Sequence, residues 1–209
     1  MNTGKARTLR DRLAPGIRVM FVGINPGMRS AATGHHFAGF SNRFWKLLFD
    51  ARLVPEPLTA FQDHRLPAFG YGITNLVARA TPGISDLTAD DYAAGRRRLV
   101  AKVRRYRPKV VALVGVTLYR VLFPKTPGGN PKGSPYKSAT PAGNPNGSPY
   151  ETPLPHPLGL RTETLGGVPV FVLPNTSGRN ANFSYAEMLA AFEALREAQD
   201  REAEASRHA

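Results

Sequence analysis

A three-layer α/β/α sandwich around a small, mainly parallel four-stranded sheet is the fold class this sequence predicts, on three observations. Four short apolar runs, at residues 17–23, 72–77, 109–115 and 168–174, are rich in Val, Ile and Phe and nearly continuous. Such runs belong to strands covered on both faces, as parallel strands are. Amphipathic helical patterns fall between the runs, and strands alternating with helices build an α/β sheet. The chain has 209 residues, enough for one ordinary domain with a real core.

Taken in order, residues 1–12 read as a basic N-terminal tail, with a single domain at 13–199 and a charged C-terminal tail at 200–209. The first strand, 17–23, runs into "INPGMRSAATGHHFAGF" and then the helical stretch "SNRFWKLLFDARL". There Ser41 or Asn42 serves as N-cap, and Phe44, Leu47 and Leu48 share one face, with Phe44 and Trp45 as core residues. After the second strand, "TADDYAAGRRRLVAKVRRY" opens as a capping box from Thr88 to Asp91 and turns Tyr92, Leu99 and Val103 inward. "NFSYAEMLAAFEALREAQDREA" supplies the closing helix. Residues 124–159 hold ten prolines and six glycines, which sustain neither a helix nor a central strand, so they read as a loop insertion. Inside it "GNPKGSPY" returns as "GNPNGSPY", a two-copy duplication. It is either a plain insertion or a set of backbone contacts to nucleic acid through Lys125, Lys132, Lys137, Tyr136 and Tyr150.

Composition narrows the function. Without cysteine there are neither disulfides, nor thiolate metal sites, nor a Cys nucleophile, and a reducing cytosol is the expected location. The amino end is charged with no apolar core of a signal peptide, and no run reaches the roughly 18 residues that span a bilayer, so no membrane is expected. Lys and Arg number 28 against 15 Asp and Glu, net +13 with pI near 10.6, which favours a polyanionic partner, nucleic acid first.

Ligands of open α/β sheets bind beyond the carboxyl ends of the strands. Asn25 stands at the first such end, and Pro26 and Gly27 turn the chain at once, holding its carboxamide at the lip of the sheet. An Asn-Pro-Gly turn is also ordinary turn chemistry. Asn75 ends the second strand, and Asn175 and Ser177 follow the fourth, so three carboxamides are expected to form one polar pocket suited to amide and nucleobase edges. The adjacent His35 and His36 point opposite ways in extended chain, which suits pocket wall or phosphate contact better than one shared metal. Asp86, Asp90 and Asp91 either assist a reaction at the second strand end or cap the helix that follows. His156, in "PHPLG", sits within the insertion rather than after a strand. The arginines and lysines of the 88–106 stretch read mostly as a solvated face.

These residues carry a resemblance. "GINPG", "GHHF", "NRFWK", "YGITNLV" and "LPNTSG", in that order, resemble the mismatch-specific uracil/thymine-DNA glycosylases within the wider uracil-DNA glycosylase fold, from about residue 13 to 123 and again from 168 to 195. The resemblance implies a monomeric, monofunctional DNA repair glycosylase. It would extrude uracil from double-stranded DNA, preferentially at G:U mismatches, and hydrolyse its N-glycosidic bond without a cofactor or metal. It implies that Asn25 positions the attacking water, that Phe37 stacks on the flipped base, that Ser30 lies near the pyrimidine 5-position and that Asn75 faces the pocket. A wedge filling the vacated space is implied at positions 178–181, with Ser177, Gly178, Arg179 and Asn180 as DNA contacts. This sequence departs from the bacterial pattern there, with Thr176 in place of Pro, and Arg179 and Asn180 where an apolar and a small residue are common.

For the chemistry, backbone N–H groups around Ile24, in a base pocket that includes Gly23, are expected with Asn75 to stabilise the departing uracil anion. Asp91 is either a catalytic carboxylate or, as its position favours, a helix cap. Two other readings stay open: a non-catalytic DNA-mismatch or single-strand binding module, and a nucleoside or nucleotide hydrolase on the same fold.

Overall fold

The computed structural model describes residues 8–124 and 158–205. Its elements run β1 (Val19–Gly23), α1 (Met28–Thr33), α2 (Phe44–Asp50), a 3-10 segment (Ala60–Phe69), β2 (Tyr71–Asn75) and a short 3-10 turn (Ile84–Asp86). Then follow α3 (Ala89–Tyr106), β3 (Val110–Val114), α4 (Val116–Leu122), β4 (Gly159–Leu165), β5 (Val168–Leu173) and α5 (Tyr185–Ala205).

The sheet has five strands rather than the expected four, in the order β2-β1-β3-β5-β4. The four expected strands are all present and mutually parallel, and β4 is added antiparallel on the outer side of β5. That strand escapes a search for continuous apolar runs because it is an edge strand. Leu160, Thr162 and Thr164 are exposed, and Arg161 and Glu163 are only half-buried. Charged residues and a bulge between Leu160 and Thr164 protect such an edge from pairing with other chains.

Period-2 alternation on the buried strands divides the core in two. Val19, Phe21, Ile73, Ala112 and Phe171 face α2 and α5, where Phe44, Leu47, Leu48, Met188, Phe192 and Leu195 pack. Met20, Val22, Val111, Leu113 and Val170 face α3 and α4, against Leu99, Val103, Leu118 and Leu122. Three layers result, as the sequence predicts. Phe21 and Phe44 meet edge to face with centroids 5.2 Å apart, so the first strand and the helix after its loop are locked together.

The local signals act as their chemistry suggests. Asp91 N donates to Thr88 Oγ1 at 3.2 Å and Thr88 N to Asp91 Oδ2 at 3.0 Å, which starts α3 with a full capping box. Asn42 Oδ1 accepts from Phe44 N at 3.0 Å, although Arg43 occupies the boundary position of α2. Gly95 allows α3 to lie directly on the chain after β2, since a Cβ there would fall 2.5 Å from Leu76 O.

Residues 8–12, read from the sequence as tail, lie against the fold. Thr8 bridges Arg79, and Arg12 bridges Ile73 of the edge strand β2. An unpaired strand edge is thereby covered. Residues 200–205, also read as tail, extend α5. The duplicated insertion, with Lys125, Lys132, Lys137, Tyr136, Tyr150 and His156, lies outside the described residues except at its two ends.

Candidate active site

Because β1, β2, β3 and β5 are parallel, their carboxyl ends share one edge of the sheet, and the expected site residues follow them. Gly23 and Asn75 are register partners across β1 and β2. The approach is so close that a Cβ on Gly23 would fall 2.7 Å from Asn75 Oδ1 and 3.7 Å from Phe37 Cζ. Glycine is required here by proximity, and Gly23, Asn75 and Phe37 form one contact group.

Phe37 is one of three described non-glycine residues with positive φ, at +51°. That strained backbone aims its ring back into the molecule, where it stacks on Phe44 at 4.0 Å and 21°. Two bonds hold its loop: Ser30 Oγ accepts from Ala38 N at 3.1 Å, and Arg29 Nε donates to Ala38 O at 2.7 Å. Ser30 is buried, so its hydroxyl serves as an internal strut of the aromatic loop.

Sequence reasoning missed the centre of this loop's support, Asp63. Its carboxylate is fully buried and accepts from Arg12 Nε at 2.9 Å, His35 Nδ1 at 3.1 Å and His36 N at 3.0 Å. A buried carboxylate persists only when its oxygens are paired in this way. No pattern in one sequence joins "FQDHR" to "GHHF" across this distance in the chain.

His36 is too deeply buried for a phosphate contact and lies instead behind Asn75. It is 1% exposed, its Nε2 lies 3.0 Å from Arg10 O, and its Nδ1 lies 3.5 Å from Asn75 Nδ2. A carbonyl only accepts, so Nε2 carries the proton. Burial pushes the imidazole pKa below its usual value, leaving Nδ1 as an acceptor for Asn75. The Asn75 carboxamide is therefore oriented, with Nδ2 toward His36 and Oδ1 toward Gly23.

Asn25 is oriented by a second relay. Its Nδ2 donates to Thr81 Oγ1 at 2.7 Å, and the Thr81 hydroxyl donates to Gly83 O. With its one proton so used, Thr81 can only accept from Asn25, which leaves Asn25 Oδ1 as a half-buried acceptor. Gly83 is itself fixed by Asp86, whose Oδ2 accepts from Gly83 N at 3.0 Å. Ile24 follows Gly23 with its carbonyl bonded to Val77 N at 2.8 Å, tying the β1 turn to the chain beyond β2.

Other expected residues stand apart from this group. Asn175 is exposed beside Gly115, and its Oδ1 accepts from Ser177 N at 3.0 Å while its carbonyl accepts from Asn180 Nδ2 at 2.7 Å. Among the described contacts none joins it to Asn25 or Asn75, because β3 lies between β1 and β5. The 175–182 loop is instead a run of side-chain-capped turns with Arg179 exposed. It docks on the aromatic loop through Arg43 N to Thr176 O at 2.9 Å, and Gly178 lies so near that a Cβ would be 2.3 Å from Ser41 Oγ.

Asp91 Oδ2 takes Arg79 Nη2 at 2.6 Å and the Thr88 backbone, and these bonds lower its pKa to about 2. A carboxylate so acidic and so fully engaged is a poor proton acceptor at neutral pH. Among the described residues no three His, Asp or Glu side chains cluster as metal ligands, and no helix is long and apolar enough to cross a membrane.

The edge of the sheet thus presents two carboxamides of fixed polarity at adjoining strand ends, an aromatic ring backed by a second ring, and a polar loop beside them. The model of the uracil DNA glycosylase superfamily matches residues 11–196, which take in every one of these elements, and the chain belongs to the uracil DNA glycosylase superfamily.

Proposed function

We propose that the protein removes uracil from double-stranded DNA, preferentially at G:U mismatches, as a monomeric, monofunctional glycosylase acting through an Asn25-oriented water. The superfamily gives the DNA glycosylase chemistry. The observation that carries the finer reading is the fixed polarity of the Asn25 and Asn75 carboxamides.

Uracil offers an N3–H donor next to a C4 carbonyl acceptor. Asn75 answers with Oδ1 and the free proton of Nδ2, and His36 keeps the amide from turning over. Cytosine presents the opposite pattern, so an amide held this way leaves its groups unpaired, a larger penalty than any apolar contact imposes. Phe37 provides the apolar face of the base site. Extrusion costs a few kcal/mol and least at a mismatch, which supports the G:U preference.

As the C1′–N1 bond lengthens, positive charge grows on the sugar and negative charge on the ring. Asn25 Oδ1 accepts a hydrogen bond from water and so turns the water oxygen toward C1′. That oxygen bonds C1′ as the C1′–N1 pair leaves on uracil N1, and the water's surplus proton passes to solvent. A carboxamide takes up no proton, so the water is oriented rather than deprotonated, and slow turnover is expected.

The test is incubation with G:U duplex, A:U duplex, uracil single strand and free deoxyuridine, followed by alkali. The proposal expects breaks only after alkali and fastest at G:U. DNA binding without breaks favours a non-catalytic module, and base release from the free nucleoside alone favours a small-molecule hydrolase; either result rejects the proposal.

A further inference from the structure

Phe40 is 89% exposed, the most exposed of the large hydrophobic residues described, yet it is not loosely placed. The Arg29 guanidinium lies 3.4 Å from its ring centroid, and Arg29 is itself tied to Ala38 O. A planar cation covers one face of the ring and leaves the other in water.

Its location gives this arrangement a use. Phe40 follows the pocket loop of Phe37 and Ala38, and it precedes Ser41, on which Gly178 rests. It therefore joins, along the chain, the loop that carries Phe37 to the residue on which the loop of Arg179 rests. Its ring is separate from the pocket floor, where Phe37 has a face occupied by Phe44. An aromatic face backed by a guanidinium matches a nucleobase beside its phosphate, since the ring stacks and the cation offsets the charge. The net charge of +13 points to the same polyanionic occupant.

We infer that Phe40, supported by Arg29, is a second DNA-stacking residue that packs on a base flanking the extruded nucleotide. This rests on the DNA glycosylase reading of the neighbouring pocket. The duplex is then gripped from two loops, by Phe40 on one side of the gap and by the 177–180 loop on the other.

The experiment uses a duplex with a tetrahydrofuran abasic analogue opposite guanine and 2-aminopurine at the adjacent position, alongside the intact duplex. Phe40→Ala is expected to raise the Kd for the gapped duplex about tenfold and to abolish the change in 2-aminopurine fluorescence, with circular dichroism unchanged. Phe40→Trp is expected to retain both signals. Wild-type affinity and fluorescence response in Phe40→Ala would overturn the inference. So would an equal loss on intact and gapped duplexes, or failure of the wild-type protein to bind the gapped duplex. Uracil release by the wild-type chain is scored separately. Binding with a fluorescence response but no release rejects the catalytic reading and leaves Phe40 standing, whereas normal release with an indifferent Phe40→Ala rejects Phe40 alone.

Discussion

Asn25 donates its side-chain amide to Thr81 Oγ1 at 2.7 Å, and the Thr81 hydroxyl in turn donates to the Gly83 carbonyl. Thr81 is 3% exposed, so water does not replace this bond readily. Thr81→Val keeps the shape and removes the polarity signal, and should slow single-turnover uracil release about five- to tenfold with DNA affinity unchanged. Thr81→Ser should restore the rate. A Val variant as fast as wild type would mean that the Asn25 amide needs no such support.

Gly23 tests the neighbouring carboxamide. A methyl group there would meet Asn75 Oδ1 at 2.7 Å, the far end of a side chain rather than backbone, so the strands stay paired while the Asn75 amide is pushed out of its orientation. Gly23→Ala should cost about 10²-fold or more in excision rate, as the loss of one aligned polar partner does in other sites, with little change in Tm. Normal excision by a stably folded Gly23→Ala would remove Asn75 from base reading.

The pH profile should follow His36. Its pKa lies below the ordinary imidazole value, because burial outweighs the Arg10 carbonyl and the charges of Asp63 and Asp11, with Arg12 adding to the lowering. The unfolded chain binds this proton near pH 6.5 and the folded chain only at lower pH. Stability is therefore complete above about 6.5 and declines as pH falls toward the folded-state pKa. Protonation of Nδ1 also turns the acceptor for Asn75 into a donor, so excision should fall along the same acid limb. His36→Gln, which does not titrate, should flatten that limb in rate. A limb unchanged in His36→Gln would mean that His36 does not set it.

What the sequence made legible, and what it did not, follows from how each signal is encoded. The central strands were visible because burial on both faces demands unbroken apolar runs, and α3 because its capping box is written within four residues. The edge strand β4 was not, since its pattern of Arg, Thr and Glu resembles loop composition. The seven-residue α4 went unread as well: it follows β3 through Gly115, at φ +120°, with no side-chain cap to announce it. At the candidate site, Asn25 and Asn75 stood out as carboxamides at strand ends, and Phe37 only through the family resemblance. Asp63, Thr81 and the structural use of His36 did not. Each acts through a partner distant in the chain, and one sequence records no such pairing.

Arg179 is exposed on a loop whose other side chains are spent on their own turns. If it enters the gap left by the base, Arg179→Ala should reduce uracil release from double strands far more than from single strands. The salt dependence should then change by no more than about 0.9 in log–log slope, one phosphate's worth. A proportional loss on both substrates that varies only with ionic strength would make Arg179 an ordinary phosphate contact.

The most direct test of the account compares affinity and chemistry in Asn25→Ala, with Asp91→Asn alongside. A water-orienting acceptor matters in the transition state more than in the ground state. Asn25→Ala should therefore bind uracil-containing duplex almost as wild type does while single-turnover base release falls about 10²–10⁴-fold. Asp91→Asn should keep its rate and lower Tm by about 2–4 °C through the weakened cap of α3. Parallel loss of binding and rate in Asn25→Ala would reduce Asn25 to a turn residue, and collapse of the rate in Asp91→Asn with Asn25→Ala still active would move the chemistry to the carboxylate.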